Sequence, residues 1–185
     1  MNVYDFDNTI YNGDSTLDFF LFCLKKHPKI IKYIPRQIYG FILYKSHKIT
    51  KKEFKEMFFS FLSCLVDAKS DVASFWKKNE QKIKPWYISQ RSNTDIVISA
   101  SPRFLLEMIC QELNINDLIA SEVDITSGKF SGENCHDEVK VILFRKKYPD
   151  SIIDNFYSDS ISDLPMAKIA TNAYLVKKSV ITKWS

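Results

Sequence analysis

The chain lacks the features that would assign it to a membrane-spanning, a secreted or a zinc-binding class of protein. Its richest apolar stretch, residues 30–44, is interrupted by Lys32, Pro35 and Arg36, whereas a membrane span needs about 18 apolar residues. No charged and apolar leader with a small-residue cleavage site is present, so we expect no signal peptide. The four cysteines are widely spaced: Cys23, Cys64, Cys110 and Cys135. Their spacing fits neither a zinc site nor a redox motif, and we expect reduced thiols in a cytoplasmic protein.

Acidic residues are scarce in one part of the chain. Residues 25–55 hold ten Lys or Arg and a single acid, Glu53, which gives this segment a net charge of +9. The remaining residues hold 16 basic and 21 acidic side chains, a net charge of −5. One basic region is therefore set in a mildly acidic protein.

Strand and helix patterns alternate at the two ends of the chain, and a helical pattern fills the region between them. A short apolar strand is expected at residues 2–6, and helical spacing then runs from about 16 to 90. From residue 95 onward, apolar strands alternate with helices. This alternation predicts a parallel α/β sheet with right-handed crossovers, interrupted after its first strand by a helical insertion.

Local signals place several element ends. Thr50 followed by Glu53 is a capping box and predicts a helix start. Pro102 is expected in the first turn of the helix that follows "DIVISAS". The segment "ASEVDITSGKFSG" alternates around "SGK" and predicts a hairpin, and "NAYLVK" predicts a last strand.

Polar side chains follow three of the predicted strands. They are Asp5 and Asp7, then Ser99 and Ser101, then Asp159 and Asp163. Ligands of parallel α/β sheets bind at the carboxyl ends of the strands. If the three strands are neighbours, these side chains therefore converge in one crevice.

The converging carboxylates indicate phosphoryl chemistry with a metal ion. Carboxylates packed together repel one another, and Mg²⁺, which prefers oxygen ligands, relieves that repulsion. One aspartate could attack phosphorus, and a second acid could protonate the leaving oxygen and then activate water. A lysine and a hydroxyl would hold the remaining phosphoryl oxygens, and Lys140 and Ser99 are the candidates.

The residues that carry this chemistry lie in four short motifs: "DFDNT", "VISAS", Lys140 within "DEVK", and "DSISD". In this order they resemble the four motifs of haloacid dehalogenase-like phosphatases, and the resemblance covers essentially the whole chain. It implies an α/β fold with a Rossmann-like, three-layer parallel-sheet core of residues 1–14 and 91–185. The insertion at residues 15–90 looks like the mobile helical cap of the phosphoserine-phosphatase-like branch.

The resemblance also implies roles for the acidic residues. The protein would be a Mg²⁺-dependent phosphomonoester hydrolase that forms an aspartyl-phosphate. Asp5 would be the nucleophile, and Asp7 would be the general acid and base. Asp5, Asp159 and Asp163 would lie at the Mg²⁺ site, and Asp7 would give its backbone carbonyl to the same ion.

Phosphate binding is assigned by the same resemblance. Ser99 and the adjacent Ala100 would bind phosphoryl oxygens, and Lys140 would neutralise the nucleophile and the phosphate. Thr9 would help to shape the first loop of the phosphate site.

Other interpretations of these residues remain open at this point. Lys146 and Lys147 compete with Lys140 for the role of the catalytic lysine. Ser101 competes with Ser99, although its place before Pro102 favours a helix cap.

Two further groups of residues have structural interpretations beside functional ones. Asp163 could be only the N-cap of a short helix. His27, His47 and His136 have no paired partners in the sequence, so we expect each at the surface and outside catalysis.

The substrate is less clearly indicated than the reaction. Phosphoserine phosphatases resemble this chain in their core, and one of their substrate contacts is an acid seven residues after the second aspartate of the first motif. Asp14 stands at that spacing and is a substrate-binding candidate from the cap. The sequence "SASP" replaces their usual glycine-rich "SGG", so phosphoserine is not favoured.

The cap suggests a lipid phosphate. "SASP" with a long, basic and apolar cap is similar to the phosphatidylglycerophosphatase C-like group. Residues 25–55 combine ten basic residues with many aromatic and aliphatic ones, and such a segment can lie on an anionic membrane at the inner face. The alternative is that the apolar stripe is cap core and the lysines are its solvated face.

Two rival functions would use the same residues. A phosphotransferase would keep the aspartyl-phosphate and pass the group to an alcohol. A nucleic-acid-binding module would use the basic segment without catalysis, but it leaves the acidic motifs unexplained, and we expect no nucleic acid.

Overall fold

The computed structural model describes residues 1–184, and within them six strands form one sheet. The strands are β1 (Asn2–Tyr4), β2 (Ile96–Pro102), β3 (Asp117–Ser121), β4 (Ile153–Ser158), β5 (Ala170–Lys177) and β6 (Val180–Lys183). Their spatial order is β3-β2-β1-β4-β5-β6. Neighbours from β3 to β5 are parallel, and β6 is antiparallel to β5.

Five of the helices lie between β1 and β2. They are α1 (Ser15–Lys26), α2 (Ile34–Lys45), α3 (Lys51–Phe59), α4 (Ala68–Asn79) and α5 (Pro85–Gln90), joined by 3-10 turns at Pro28–Tyr33, Ser60–Cys64 and Glu80–Lys82. Three more follow: α6 (Arg103–Glu112), α7 (Glu138–Lys147) and α8 (Leu164–Lys168). The predicted helical insertion is therefore present, and its division into core and cap domains stays a prediction.

The sheet is covered on both faces, which makes three layers. Val3 and Ile96 are register partners and face the cluster formed with α7 and α8. The next pair, Tyr4 and Val97, faces the opposite cluster, which contains α6 and the inserted helices. Because successive strand residues point to opposite faces, these apolar runs bury both sides of the sheet. The predicted α/β fold with a parallel sheet is confirmed.

The inserted helices attach to the sheet unequally. Helices α1 and α4 share one hydrophobic cluster with β1, β2 and α6, and Trp76 Nε1 on α4 donates a hydrogen bond of 2.6 Å to Leu105 O. Helix α2 instead packs on α3. The capping box predicted at Thr50 is present, with Glu53 N and the Thr50 side chain 3.2 Å apart.

Two local predictions differ from the structure. Pro102 is the last residue of β2, where it pairs with Ser121 after a register shift, so the strand continues through the position expected in a helical turn. The predicted hairpin is reduced to one bridge between Val123 and Phe130. In the turn between them Gly128 adopts a φ of 74°, which only glycine accepts readily.

The last strand is one half of a hairpin. After β5, Lys178 adopts a left-handed φ of 57° and the chain returns as β6. This edge strand is largely exposed and has no apolar run that would have predicted it. Among residues 1–184, no helix is both long enough and apolar enough to cross a membrane.

Candidate active site

Side chains at the carboxyl ends of β1, β2 and β4 meet at a cavity of about 580 Å³. The sheet edge and α7 contribute Asp5, Asp7, Ser99, Ala100, Ser101, Lys140, Asp159 and Asp163. The inserted helices contribute Thr16, Leu17, Phe41, Lys51, Phe54, Lys55, Phe58 and Phe59. The rest of the lining consists of Asn8, Asp14, His136, Ser160 and Ser162. The cavity therefore has an acidic floor at the strand ends and a basic and aromatic roof.

Lys140 joins two buried carboxylates at the floor. Its Nζ lies 2.7 Å from Asp5 Oδ1 and 2.7 Å from Asp163 Oδ2, and all three residues are buried. Ser158 Oγ also donates a hydrogen bond of 2.7 Å to Asp163 Oδ2. Burial raises the pKa of the Asp5 carboxyl, and the Lys140 cation opposes that shift. Burial lowers the pKa of Lys140, but the two carboxylates outweigh it and the net shift is upward. A fixed cation thus lies beside the carboxylate at the end of β1.

Asp7 is held by two donors. Its Oδ1 accepts from the backbone N–H of Ser15 at 2.6 Å, and its Oδ2 accepts from Ser101 Oγ at 2.5 Å. Burial, followed by the charge of Asp14, raises the pKa of Asp7 to about 6, against the pull of both hydrogen bonds. A carboxyl with this pKa can both give and take a proton near neutral pH.

Ser101 was expected to cap the helix that follows, and that prediction is wrong. Helix α6 has no side-chain hydrogen bond at its N-cap, and the Ser101 hydroxyl turns toward Asp7 and Thr16 instead. Pro102 keeps the chain extended there, so Ser101 lies one residue too early to cap α6.

Two lysines reach the cavity from α3. The capping box at Thr50 starts this helix, and Lys51 and Lys55 then lie one turn apart on the same side. Lys55 Nζ donates to Ala100 O at 2.7 Å and to Asn134 Oδ1 at 2.9 Å. Burial, and then the charge of Lys51, lowers the pKa of Lys55 to about 8. Burial also lowers the pKa of Lys51.

His136 lies at the cavity wall, whereas we expected it at the surface and outside catalysis. Burial, and then the charges of Lys51, Lys140 and Lys55, lowers its pKa to about 4. The imidazole is therefore neutral near pH 7. Its place four residues before Lys140 is the one sequence signal that could have indicated this position.

An aromatic wall lies opposite the acidic floor. It consists of Phe41 from α2 and Phe54, Phe58 and Phe59 from α3, with Leu17 beside them. The rings pack on one another, with the Phe41 and Phe54 centroids 5.9 Å apart and the Phe58 and Phe59 centroids 5.5 Å apart. The cavity is therefore lined by both charged and aromatic side chains.

Comparison with known proteins assigns the chain to a family. The model of the haloacid dehalogenase-like hydrolase family matches residues 3–168. The chain belongs to the haloacid dehalogenase-like hydrolases. This match confirms the predicted family, and with it the prediction of an enzyme, a hydrolase. No curated protein sequence matches the chain.

Several solved structures share the fold of this chain. A protein of unknown function from Bordetella pertussis Tohama I has a TM-score of 0.75 and 17% identity, covering 94% of this chain and 87% of that one. A phosphoserine phosphohydrolase-like protein from Francisella tularensis has a TM-score of 0.59 and 18% identity, with coverages of 94% and 86%. A phospho-aspartyl intermediate analogue of phosphoserine phosphatase has a TM-score of 0.51 and 17% identity, with coverages of 92% and 83%. At these identities the likeness concerns the fold.

The acidic floor of this haloacid dehalogenase-like protein suits a hard divalent cation. Burial and the neighbouring Asp163 raise the pKa of Asp159, which is the expected effect of carboxylates that repel one another. Within residues 1–184, no group of three or more His, Cys, Asp or Glu side chains is close enough to hold a metal by itself. Mg²⁺ commonly takes one or two carboxylates and completes its shell with water and substrate phosphate. Asp5, Asp159 and Asp163, which line the cavity, are the candidates for these one or two carboxylates.

The structure shows where the residues that competed for the catalytic lysine and the helix-cap roles lie. Lys140 is at the cavity, whereas Lys146 and Lys147 lie elsewhere on the surface of α7, and Lys147 pairs with Asp117. Asp163 stands at the N-cap position of α8 but makes no side-chain capping bond there.

The remaining predicted residues divide between the cavity wall and the interior. Asp14 lines the cavity and also caps α1, accepting from Leu17 N at 2.9 Å. Thr9 is fully buried and is not on the cavity wall, and its Oγ1 has no hydrogen-bond partner among the described residues. A phosphate-site role for Thr9 stays a prediction.

The other two histidines lie outside the cavity. His27 Nε2 lies 2.9 Å from Oδ2 of the buried Asp71, whose Oδ1 accepts from Lys26 Nζ at 2.8 Å. His47 adopts a left-handed φ of 57° just after α2 ends. Neither one reaches the cavity.

Proposed function

We propose that this protein is a Mg²⁺-dependent phosphomonoester hydrolase that acts through an aspartyl-phosphate on Asp5. The observation that carries the proposal is the Lys140 bridge, which places a buried cation 2.7 Å from Asp5 with Asp7 two residues further along the chain. A structure described as a phospho-aspartyl intermediate analogue shares the fold, which supports this type of intermediate.

The reaction follows from the two aspartates. An oxygen of the Asp5 carboxylate attacks phosphorus, and the bond between phosphorus and the leaving oxygen breaks. Asp7, in its protonated form, gives its proton to that oxygen, so that an alcohol leaves. Asp7 then takes a proton from water, whose oxygen attacks the phosphoryl group on Asp5. Inorganic phosphate leaves and the Asp5 carboxylate is restored.

Mg²⁺ would be held by the carboxylates of Asp5, Asp159 and Asp163 and by the backbone carbonyl of Asp7. When bound, this ion neutralises charge on the phosphoryl oxygens during transfer. Lys140 and Ser158 keep Asp163 in place through bonds of 2.7 Å each.

Ser99, Ala100 and Lys140 are the proposed phosphate-binding groups, and Thr9 shapes the loop behind them. Ser99 Oγ accepts from Ser101 N at 3.1 Å, which leaves the Ser99 hydroxyl hydrogen available for a phosphoryl oxygen. Lys140 lies beside Asp5 and can compensate the charge of both the nucleophile and the phosphate.

The substrate is proposed to be a phosphorylated small molecule or a phospholipid. The aromatic wall favours a substrate with an apolar part, and Asp14 is the candidate for recognising a polar group near the cap. We place the protein in the cytoplasm and include peripheral contact with an anionic membrane at its inner face through residues 25–55. Under this proposal residues 1–14 and 91–185 catalyse and residues 15–90 form the cap.

The test is phosphate release measured with and without Mg²⁺. The substrates are p-nitrophenyl phosphate, phosphoserine, sugar phosphates, nucleotides, and phosphatidylglycerophosphate in mixed micelles. We expect release that requires Mg²⁺ and is abolished in Asp5→Asn, with the exposed Asp150→Asn as the matched control. Mg²⁺-dependent activity retained by Asp5→Asn would reject Asp5 as the nucleophile.

The same assay separates the alternative functions. A phosphotransferase would yield a phosphorylated alcohol when an acceptor alcohol is added, and product analysis detects it. A binding module without catalysis would release no phosphate from any substrate. A nucleic-acid-binding module would leave the buried cluster of Asp5, Lys140 and Asp163 without a role.

A further inference from the structure

Helix α2 buries its polar and small residues. Gln37 is 7% exposed, and its Nε2 donates a hydrogen bond of 2.9 Å to Phe58 O. Gly40 is also buried, and a Cβ at this position would lie 3.0 Å from Met57 Sδ on α3. The contact between α2 and α3 is therefore built on a hydrogen bond and a glycine.

The opposite face of α2 exposes its apolar residues. Pro35, Ile38, Tyr39 and Ile42 are spaced at i, i+3, i+4 and i+7 and so lie on one side of the helix. Ile38, Tyr39 and Ile42 are 55%, 59% and 56% exposed. A surface helix of a globular protein normally turns such a stripe to the core. We call these four residues the α2 apolar face.

Basic side chains flank the α2 apolar face on both sides. Helical geometry puts Arg36 along one flank and Lys45 along the other, and both are exposed. Lys32, in the preceding turn, is exposed beside Ile31, which is 63% exposed. No acid occurs anywhere in residues 19–52. The face therefore presents an apolar stripe within a uniformly positive rim.

The α2 apolar face borders the cavity through Phe41. This residue is on α2, is 49% exposed, and also lines the cavity. Its ring packs edge-on against Phe54, which lines the cavity from α3. An apolar path thus runs from the outside of α2 to the aromatic wall.

We propose that the α2 apolar face is a docking surface for an anionic lipid bilayer. Ile38, Tyr39 and Ile42 enter the interface between headgroups and acyl chains while Arg36 and Lys45 contact anionic headgroups. The docked protein has its cavity mouth at the bilayer and takes a phosphomonoester lipid directly from it. This last step rests on the proposed function, whereas docking does not.

The charge pattern favours a bilayer over another occupant. A second copy of this chain would bring two basic rims together, and the resulting repulsion opposes association. A bilayer surface carrying anionic lipids attracts every basic residue of the rim at once. The interpretation of the apolar stripe as cap core is wrong for Ile38, Tyr39 and Ile42, because the core side of α2 is occupied by Gln37 and Gly40.

Co-sedimentation with vesicles tests the docking. The full chain is mixed with phosphatidylcholine vesicles that contain or lack phosphatidylglycerol, at about 0.15 M salt. We expect binding to the anionic vesicles and much weaker binding to the neutral ones. Ile38→Gln/Ile42→Gln should bind anionic vesicles about tenfold more weakly, and Arg36→Gln/Lys45→Gln should lose affinity to a similar extent of about tenfold.

Matched variants control for the loss of apolar surface and of charge. Ile142→Gln/Ile152→Gln removes two isoleucines that are 63% and 69% exposed but lie in the core domain. Lys69→Gln/Lys146→Gln removes two exposed lysines away from α2. Both controls should bind anionic vesicles like the unmodified protein.

The outcomes separate docking from catalysis. Vesicle binding that is absent, or unchanged in Ile38→Gln/Ile42→Gln, overturns the docking surface. A dimer in solution that dissociates in this variant, with no vesicle binding, assigns the face to a second copy and also overturns it. Binding without phosphate release from any substrate would leave the docking surface standing and reject the proposed function.

Delivery of substrate from the bilayer has its own readout. Ile38→Gln/Ile42→Gln should hydrolyse p-nitrophenyl phosphate at the normal rate and phosphatidic acid in anionic vesicles about tenfold more slowly. An equal loss on both substrates, or a normal rate on both, would overturn delivery from the bilayer.

Discussion

The Ser101 hydroxyl donates a hydrogen bond to Asp7 Oδ2, and Thr16 Oγ1 lies 3.0 Å from the same hydroxyl. Since Ser101 has only one hydroxyl hydrogen, Thr16 is the donor in the second bond. Thr16 on α1 is thereby linked, through Ser101 on β2, to Asp7, the carboxyl that transfers the proton in the proposed reaction.

Ser101→Ala should therefore slow turnover without preventing substrate binding. Asp7 would keep only its bond from Ser15 N and would lose its orientation, so we expect kcat to fall about tenfold while KM changes little. Steady-state kinetics with p-nitrophenyl phosphate measure both constants. Ser89→Ala, at an exposed serine, is the control and should leave kcat unchanged. A normal kcat in Ser101→Ala would contradict the role of Ser101 in orienting Asp7.

Lys140→Met should reduce both activity and stability. Without the cation, Asp5 and Asp163 face each other unpaired in a buried site, so we expect the free energy of unfolding to fall by about 3 kcal/mol. Urea unfolding without Mg²⁺ measures this change. Lys146→Met, on the exposed side of the same helix, should change stability by less than about 0.5 kcal/mol. Equal stability of the two variants would contradict the role of Lys140 as the central cation.

Anion binding in the cavity should weaken as the pH rises through about 8, where the half-buried Lys55 loses its charge. Sulfate is a suitable probe because its own charge is constant in this range. Its inhibition of p-nitrophenyl phosphate hydrolysis should decrease about fivefold between about pH 7 and about pH 9. Lys55→Met should show no such decrease, and Lys69→Met should behave like the unmodified protein. A sulfate effect that is independent of pH in the unmodified protein would exclude Lys55 as an anion contact.

Lys55 should also affect the free energy of unfolding. This effect should increase with pH, whereas anion binding weakens with pH. The pKa of Lys55 is lower in the folded protein than in the unfolded chain, so between these values the unfolded chain binds more protons. The contribution of Lys55 to stability should therefore rise with pH from about 8 toward the unfolded lysine value. The difference in urea midpoint between the unmodified protein and Lys55→Met, followed against pH, measures it.

Trp76→Phe should loosen the attachment of the cap to the sheet. The substitution removes the bond of 2.6 Å from Trp76 Nε1 to Leu105 O and leaves a buried carbonyl unpaired, which costs about 2 kcal/mol with the lost volume. Trp86→Phe is the matched control, because Trp86 Nε1 has no partner among residues 1–184. It should cost less in thermal unfolding. Equal losses would show that packing alone attaches α4.

The acidic floor could be predicted from the sequence because the position of each aspartate follows from the residues next to it in the chain. Asp5, Asp7 and Asp159 each follow an apolar strand, and parallel strands end at one edge of the sheet. Lys140 could be placed from the sequence because it lies on the predicted helix that precedes β4. The resemblance to known motifs then supplied roles that the residues alone left open.

The roof of the cavity could not be predicted in this way. Lys51 and Lys55 could be placed on a helix by the Thr50 capping box, but the helix could have presented them to solvent. Ser101 was misjudged because a register shift extends β2 through Pro102, and that shift depends on pairing with β3.

The amphipathic character of α2 can be predicted from the sequence alone, because the periodicity of apolar residues depends only on their spacing along the helix. Which side of α2 faces outward was decided by the tertiary structure. Close approach to Met57 requires Gly40 at the contact, and Gln37 finds a buried partner in Phe58 O. These two contacts turn Ile38 and Ile42 to the surface, and no pattern within α2 alone contains that information.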